Sequence, residues 1–490
     1  VYSQLNRYLR NSIIVTLAIL GLVLIAITQV ARNMANPIQR LIEENQKISH
    51  RNYDEVHYVS SHIEEIHQLS KSLVNMSESI CEFEVGQKEL LDAFIQLIAQ
   101  AIDEKSPYTG GHCARVPELA MMLAQEANNS ERPEFADFRF KTKEQWREFE
   151  VAAWLHDCGK ITTPEHIVDK GSKLECIYNR IHEIRMRFEV LLRDAQINYY
   201  KALQDEPDNE AVLAQQLAHE QQTIREDFEF IAKCNVGGEF MQQQDLDRIN
   251  QIAQRTWYRH LSDRIGLSPE ETRHIKDFDE FTPGFEAVLN DKPEHIYTRR
   301  VDASNRDQAF GFNMPIPKNK QNLGEVYNLL IQRGTLTAED RYIINEHITS
   351  TIRMLETLPL PNELARVPEY AGGHHEKLDG GGYPRGLTGE QMSIPARIMA
   401  IADIFEALTA NDRPYKQAKT LSESLKIMKF MAQDQHIDKS LFNLFLDVGI
   451  YHDYAQQFLR DDQIDDIDIN DYKVDWLSEV LGCCGKANNA

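Results

Sequence analysis

The chain opens on an apolar run long enough to cross a bilayer. From Asn11 to Ala31, 21 residues carry no charge, and Ile13 through Val30 is almost wholly apolar. At 1.5 Å per residue, such a helix spans a hydrocarbon core of roughly 30 Å. Arg7 and Arg10 flank one end and Arg32 and Arg40 the other, so charge asymmetry selects no orientation. A buried core helix or an uncleaved signal sequence would share this composition. However, Gln29-Val30-Ala31-Arg32 leads on into helical pattern without a small-residue cleavage site. Residues 1–36 therefore read as a transmembrane helix with its flanks. Because Val rather than Met stands first, the sequence reads as a processed or truncated piece of something longer.

The pattern then changes period. Pro37 opens a helix with Ile38, Leu41, Ile42 and Ile48 on one side. A polar connector, His50 to Ser61, precedes a second helix carrying Ile63, Ile66, Leu69, Leu73, Met76 and Ile80. Apolar positions alternating three and four apart form a coiled-coil seam. Residues 37–87 resemble the HAMP linker, a parallel four-helix bundle in a dimer. In that family the first helix begins at a proline like Pro37, and a Glu-Ile pair like Glu65-Ile66 introduces the second. His67 stands where the family usually has Gly. The alternative is an ordinary coiled-coil stalk. Either reading implies a homodimer, since one chain cannot bury both stripes.

Beyond the linker the pattern predicts helices at Lys88–Asp103 and Gly111–Ala127, broken at Ser106-Pro107-Tyr108-Thr109-Gly110-Gly111. A further helical run, Phe149 to His156, follows. Residues 175–332 read as an insertion. It comprises an amphipathic helix over Leu174–Leu203 (with Ile177, Ile181, Ile184 and Phe188 on one face), a turn at Glu206-Pro207-Asp208-Asn209, and a partner helix over Glu210–Cys234. A third helix is expected over Gln243–Ile265. Residues 276–326 show little periodicity and read as either a lid over a cleft or a loop packed on the hairpin. Ile343, Ile344, Ile348, Ile352 and Leu355 mark another helix, and Ile398 to Thr409 reads as a largely buried one. Residues 456–490 form an acidic tail. The fold class is all-α.

Composition narrows the function. The 490 residues exceed one domain's usual length. Acidic residues outnumber basic ones 76 to 53, a formal charge of -23, which argues against a DNA- or RNA-duplex-binding surface. A small anionic substrate stays open, because a metal centre inverts the local field. Seven scattered cysteines without a CxxC pair suggest neither a disulfide scaffold nor a cysteine zinc site, and fit a reducing, cytoplasmic setting.

The candidate chemistry lies in two distant clusters. One is His156-Asp157-Cys158-Gly159-Lys160; the other is His374-His375-Glu376-Lys377-Leu378-Asp379-Gly380-Gly381-Gly382-Tyr383-Pro384. With His112, His347 and Asp403 they offer imidazoles and carboxylates suited to two metal ions sharing one carboxylate. These motifs resemble those of the HD phosphohydrolase superfamily, and within it the HD-GYP cyclic dinucleotide phosphodiesterases, over roughly residues 88–174 and 333–455.

The resemblance implies a helical domain that hydrolyses cyclic di-GMP to pGpG, and in some members on to GMP, with iron or manganese as cofactor. Carried over, the family's metal ligands fall on His112, His156, Asp157, His347, His374, His375 and Asp403. His112, His156 and Asp403 are assigned to one ion, His347, His374 and His375 to the other, with Asp157 bridging. Trinuclear members place a glutamate where this chain has Tyr108, so two ions per chain are expected. Lys160 is expected to act on a phosphate oxygen or orient the nucleophile. Tyr383, Arg413 and Lys416 are expected at the substrate, with Glu376 and Asp379 as supporting carboxylates.

These expectations describe an enzyme of the inner membrane with its catalytic domain in the cytoplasm, driven by a sensor region outside this chain. Two alternatives remain: a catalytically weak sensor or scaffold, and the same chemistry on another cyclic dinucleotide such as cyclic GMP-AMP.

Overall fold

A computed structural model describes residues 2–105, 111–238, 240–275, 281–299, 309–410 and 418–474. The chain divides into two compact units, Val1–Phe94 and Ile95–Ala490. The architecture is helical, as the apolar periodicity predicts. Among the described residues, the helix Tyr2–Ser49 is long and apolar enough to cross a membrane.

In the first unit, Tyr2–Ser49 is one continuous helix with Pro37 inside it. The expected helix start at Pro37 is thus corrected. Proline removes a single backbone donor, and the flanking apolar run and linker stripe both favour helix strongly enough to carry through it. The connector folds back on the helices through a small core of Leu41, Val59 and Ile66, backed by Ile63 and Leu73. Val59 N donates to the buried Ser70 hydroxyl at 2.7 Å, and His57 N donates to Glu44 at 2.8 Å. The second helix runs from Glu64 to Lys105, so the helix expected from Lys88 is its continuation. Leu69, Met76, Phe83 and Leu90, seven residues apart, remain exposed along it.

In the second unit, helices His112–Asn129, Lys143–Leu155, Ala338–Thr357 and Ile394–Thr409 surround a core containing Leu119, Leu123, Phe149, Ile352 and Phe405, all fully buried. Thr142 and Thr337 begin two of these helices with reciprocal capping boxes to Gln145 and Asp340. Such caps contribute about 1 kcal/mol each and fix where each helix starts. Leu421–Gln433, Lys439–Asp447 and Ile450–Phe458 complete the helical shell.

The insertion contains the expected hairpin, Ile181–Asp205 and Glu210–Val236, around Ile184, Phe188, Ile224 and Ile231. Three expectations are corrected here. The first helix starts at Ile181, because the Asn235 side chain and Arg180 N bond the Leu174 backbone into a tight turn. Ile177 is consequently exposed instead of sharing the apolar face. The third helix ends at Ile252, since Thr256–Arg259 pairs antiparallel with Gly284–Ala287. Residues 276–326 are not structureless either: Ile296–Thr298 pairs antiparallel with Asn319–Asn322. Aromatic and β-branched residues such as Thr256, Trp257 and Tyr258 suit a pleated, half-buried ribbon better than a helix.

Candidate metal centre

Each metal-seeking side chain is delivered by the end or inner face of a helix. Phe149, Val151, Ala152, Ala153 and Leu155 are buried, so the Lys143–Leu155 helix directs its C-terminal His156 and Asp157 into the interior. The 158–162 turn then packs against the helix carrying His347. Gly159 makes this approach feasible. A Cβ there would lie 1.9 Å from the His347 carbonyl oxygen, and Gly159 N donates to Thr351 Oγ1 at 2.9 Å. His374 and His375 follow the short helix Val367–Gly372, Asp403 lies inside Ile394–Thr409, and His112 begins its own helix.

The structure brings these seven residues into two adjoining groups. His112, His156, Asp157 and Asp403 have ligand atoms within 4.8 Å of one another, as do His347, His374 and His375. Asp157 stands between the groups. Its Oδ2 is 3.1 Å from His112 Nε2 and 3.2 Å from His156 Nε2. Its Oδ1 faces the other way, 3.4 Å from His347 Nε2 and 3.9 Å from His374 Nε2.

The orientation of the rings selects the ligating nitrogen. The Nδ1 atoms of His156, His347 and His374 lie 2.8, 2.6 and 2.7 Å from the carbonyls of Ala153, Ile344 and Ala371. A carbonyl only accepts, so Nδ1 donates and Nε2 is turned towards the Asp157 carboxylate. His156 Nε2, His374 Nε2 and Asp157 Oδ1 are buried without a hydrogen-bond partner. Leaving such groups unsatisfied costs about 1–3 kcal/mol each. Three unpartnered polar atoms set among these imidazoles and carboxylates are groups that a cation would satisfy. The donor set is imidazole and carboxylate, which suits a borderline divalent metal. The nearby thiols do not join it: burial pushes Cys158 up to about 12, and raises Cys113 as well.

The protonation pattern fits the same role. Burial works to raise Asp157, but Lys160 and His156 outweigh it and hold the carboxyl well below the usual range. Asp403 is likewise held low against burial by His112 and His156. Burial, with the neighbouring imidazoles, pushes His374 down to about 4 and His375 well below its ordinary value, so both are neutral near pH 7. Burial is overcome at His156, where Asp157 pushes the imidazole up to about 9. A metal entering this group must displace that proton.

Lys160 Nζ lies 2.5 Å from Asp157 Oδ2 and is partly exposed. The Tyr383 ring stacks on His375, with centroids 4.9 Å apart and planes at 18°. Gly382 lets the loop double back there, because a Cβ would meet Lys377 N at 2.3 Å. Glu376 and Asp379 support the loop backbone. Glu376 accepts from Arg385 N and Leu387 N at 2.7 and 2.9 Å, and Asp379 accepts from Gly381 N at 2.8 Å. They shape the loop, because its turns leave backbone donors that need acceptors. Tyr108, Arg413 and Lys416 lie outside the described residues.

Sequence reasoning missed three supports. Buried Glu406 accepts from His112 Nδ1 and from Arg115 Nε at 2.8 Å, orienting that imidazole. A second acid one turn after Asp403, in so apolar a helix, was the available signal. Asp103 accepts from Gly111 N and Cys113 N at 3.1 and 3.3 Å, holding the start of the His112 helix. Lys105 donates to the carbonyls of Lys160, Ile161 and Thr163 at 3.1, 2.5 and 2.6 Å. No local motif marked either residue.

Residues 284–441 match the HD domain family model, a span containing His347, His374, His375 and Asp403. The chain carries an HD domain over that span. Divalent-metal binding is a property of HD domains, and the His/Asp groups supply the donors for it. A 3'3'-cGAMP-specific phosphodiesterase of Vibrio cholerae is 38% identical over 118 residues, covering 24% of this chain and 26% of the relative. A cyclic di-GMP phosphodiesterase of Pseudomonas aeruginosa is 36% identical over 124 residues, covering 25% and 29%. One from Thermotoga maritima is 40% identical over 98 residues, covering 20% and 26%. The chain thus spans under a third of the length of each of these relatives.

Proposed function

We propose that this chain is a membrane-associated phosphodiesterase that hydrolyses cyclic di-GMP to pGpG. The observation that carries this reading is Asp157, whose two oxygens face two separate sets of donors. That arrangement supports two ions, iron or manganese. His112, His156, Asp157 and Asp403 would hold one; His347, His374 and His375, with Asp157, would hold the other. Such ions supply Lewis acidity to the phosphate and acidify a water molecule at neutral pH.

The chain's own groups do the rest. Asp157 holds the Lys160 ammonium at the edge of the centre, where it donates to a phosphate oxygen as charge accumulates. Burial raises the Tyr383 phenol, which therefore stays neutral and stacked on His375 as a wall for the substrate. Arg413 and Lys416 are proposed for the second phosphate. Glu406 and the three carbonyls fix the imidazoles so that the donors need not reorganise on binding.

The helix Tyr2–Ser49 supports a membrane location; the inner membrane, with the catalytic region in the cytoplasm, is proposed for it. The exposed heptad of Leu69, Met76, Phe83 and Leu90 supports a homodimer through the HAMP-like segment, with input from a sensor region outside this chain. A second reading, the same chemistry on 3'3'-cGAMP, is favoured by the name of the Vibrio relative. The intact donor set speaks against a scaffold without turnover.

The test is hydrolysis of a cyclic dinucleotide panel by the full chain in detergent, loaded anaerobically with iron or manganese. Cyclic di-GMP should yield pGpG, and Asp157→Ala should lose both metal and turnover. Fully loaded protein that cleaves no cyclic dinucleotide would refute the proposal.

A further inference from the structure

The insertion reaches the glycine-rich loop. Its second ribbon pairs Ile296–Thr298 with Asn319–Asn322. Residues 309–313, which precede the second of these strands, dock on the segment that follows Tyr383. Asn313 N donates to the Pro384 carbonyl at 2.7 Å, and Arg385 Nε donates to the Phe310 carbonyl at 3.1 Å. The Asn313 side-chain amide meets the Arg385 carbonyl at 3.5 Å. These bonds tie residues 310–313 to the backbone beside the ring that stacks on His375.

Two phenyl rings occupy this strap. Phe310 and Phe312 are stacked, with centroids 5.5 Å apart and planes at 15°, and both remain half-exposed. The Arg353 and Arg385 guanidiniums lie 5.6 and 5.9 Å from the Phe312 centroid. Arg353 belongs to the helix that carries His347. A flat, partly uncovered aromatic pair beside two cations is unlike ordinary core packing, and flat purines stack on such surfaces. Arginine also complements the acceptor edge of guanine.

Building on the cyclic dinucleotide reading, we propose that the insertion contributes to the substrate site. Phe310 and Phe312, with Arg385, form a platform that stacks and selects a purine of the cyclic dinucleotide.

The experiment compares wild type with Phe312→Ala, Phe312→Leu and Phe312→Trp in the full, metal-loaded chain. The substrates are cyclic di-GMP, 3'3'-cGAMP and bis(p-nitrophenyl) phosphate, a diester without purines. Stacking of one base predicts a fall of about 5- to 150-fold in the kcat/KM selectivity for cyclic dinucleotide over the small diester, carried by KM. Leucine keeps the bulk but not the flat face, so Phe312→Leu should resemble alanine, while tryptophan should restore selectivity. Unchanged selectivity in Phe312→Ala and Phe312→Leu would overturn the platform, as would equal losses on all three substrates. If wild type cleaves the small diester but no cyclic dinucleotide, the proposed function fails, and the platform with it.

Discussion

Gly159→Ala puts the assembly of the centre to its sharpest test. The new Cβ would lie 1.9 Å from the His347 carbonyl oxygen, 2.5 Å from Thr351 N and 2.7 Å from Thr351 Oγ1. Restoring ordinary contact at 3.4 Å requires the turn and helix to part by 1.5 Å (3.4 − 1.9). The closest obstacle is backbone, so no side-chain rotation relieves it. Overpacking of this kind costs about 1–3 kcal/mol, and losing the Gly159 N–Thr351 Oγ1 bond adds about 1 kcal/mol. The expected destabilisation is about 2–4 kcal/mol.

The same displacement opens the bridge. Asp157 Oδ1 and His347 Nε2, now 3.4 Å apart, would separate to as much as 4.9 Å (3.4 + 1.5) if the shift lay along that line. The variant should lose the ion proposed for the His347 group and retain the one proposed for the His112 group. Misplacement by about 1 Å is enough to slow turnover about 100-fold. Metal content by elemental analysis, a thermal melt and hydrolysis rates measure the three effects. Thr351→Val is the control, removing the hydroxyl without adding a clash, and should destabilise by about 1 kcal/mol with both ions kept. Wild-type melting and metal content in Gly159→Ala would refute the packing argument.

Three other outcomes are expected. Glu406→Gln keeps the size of the side chain but removes the charge facing His112 and Arg115, so metal affinity should fall about 10- to 100-fold; an unchanged result in a chelator competition would exclude the orienting role. Lys105→Met withdraws an ammonium from three carbonyls around Lys160 and should destabilise by about 1.5–3 kcal/mol, with Lys105→Arg a partial rescue; thermal melts of both variants that match wild type would contradict this. Metal loading should release protons. Asp157 pushes His156 up to about 9 against burial, so its imidazole is protonated at pH 7 and apparent affinity should rise as pH climbs towards 9. Calorimetry in buffers of different ionisation enthalpy reads the release directly, and a pH-independent affinity would refute it.

Much of the helical architecture was legible because a helix writes its burial into a local repeat. Ile344, Ile348, Ile352 and Leu355 sit at the spacing that lines one face, and the last three are buried. The ligand types were legible for a chemical reason, since only imidazoles and carboxylates in such motifs suit a borderline cation. Where local pattern failed, a long-range partner had intervened. Trp257 and Tyr258 left the expected helix because Gly284–Ala287 offered them a ribbon. Ile177 left its apolar face because Asn235 bonded the Leu174 backbone into a turn. Glu406 faces His112 from 294 positions away, and no periodicity encodes such a distance. Sequence by itself determined most of the helical faces and which side chains can seek a metal. Tertiary structure decided which of those side chains meet, because that depends on how closely Gly159 lets one backbone approach another, and on where the insertion's ribbon carries Phe310 and Phe312.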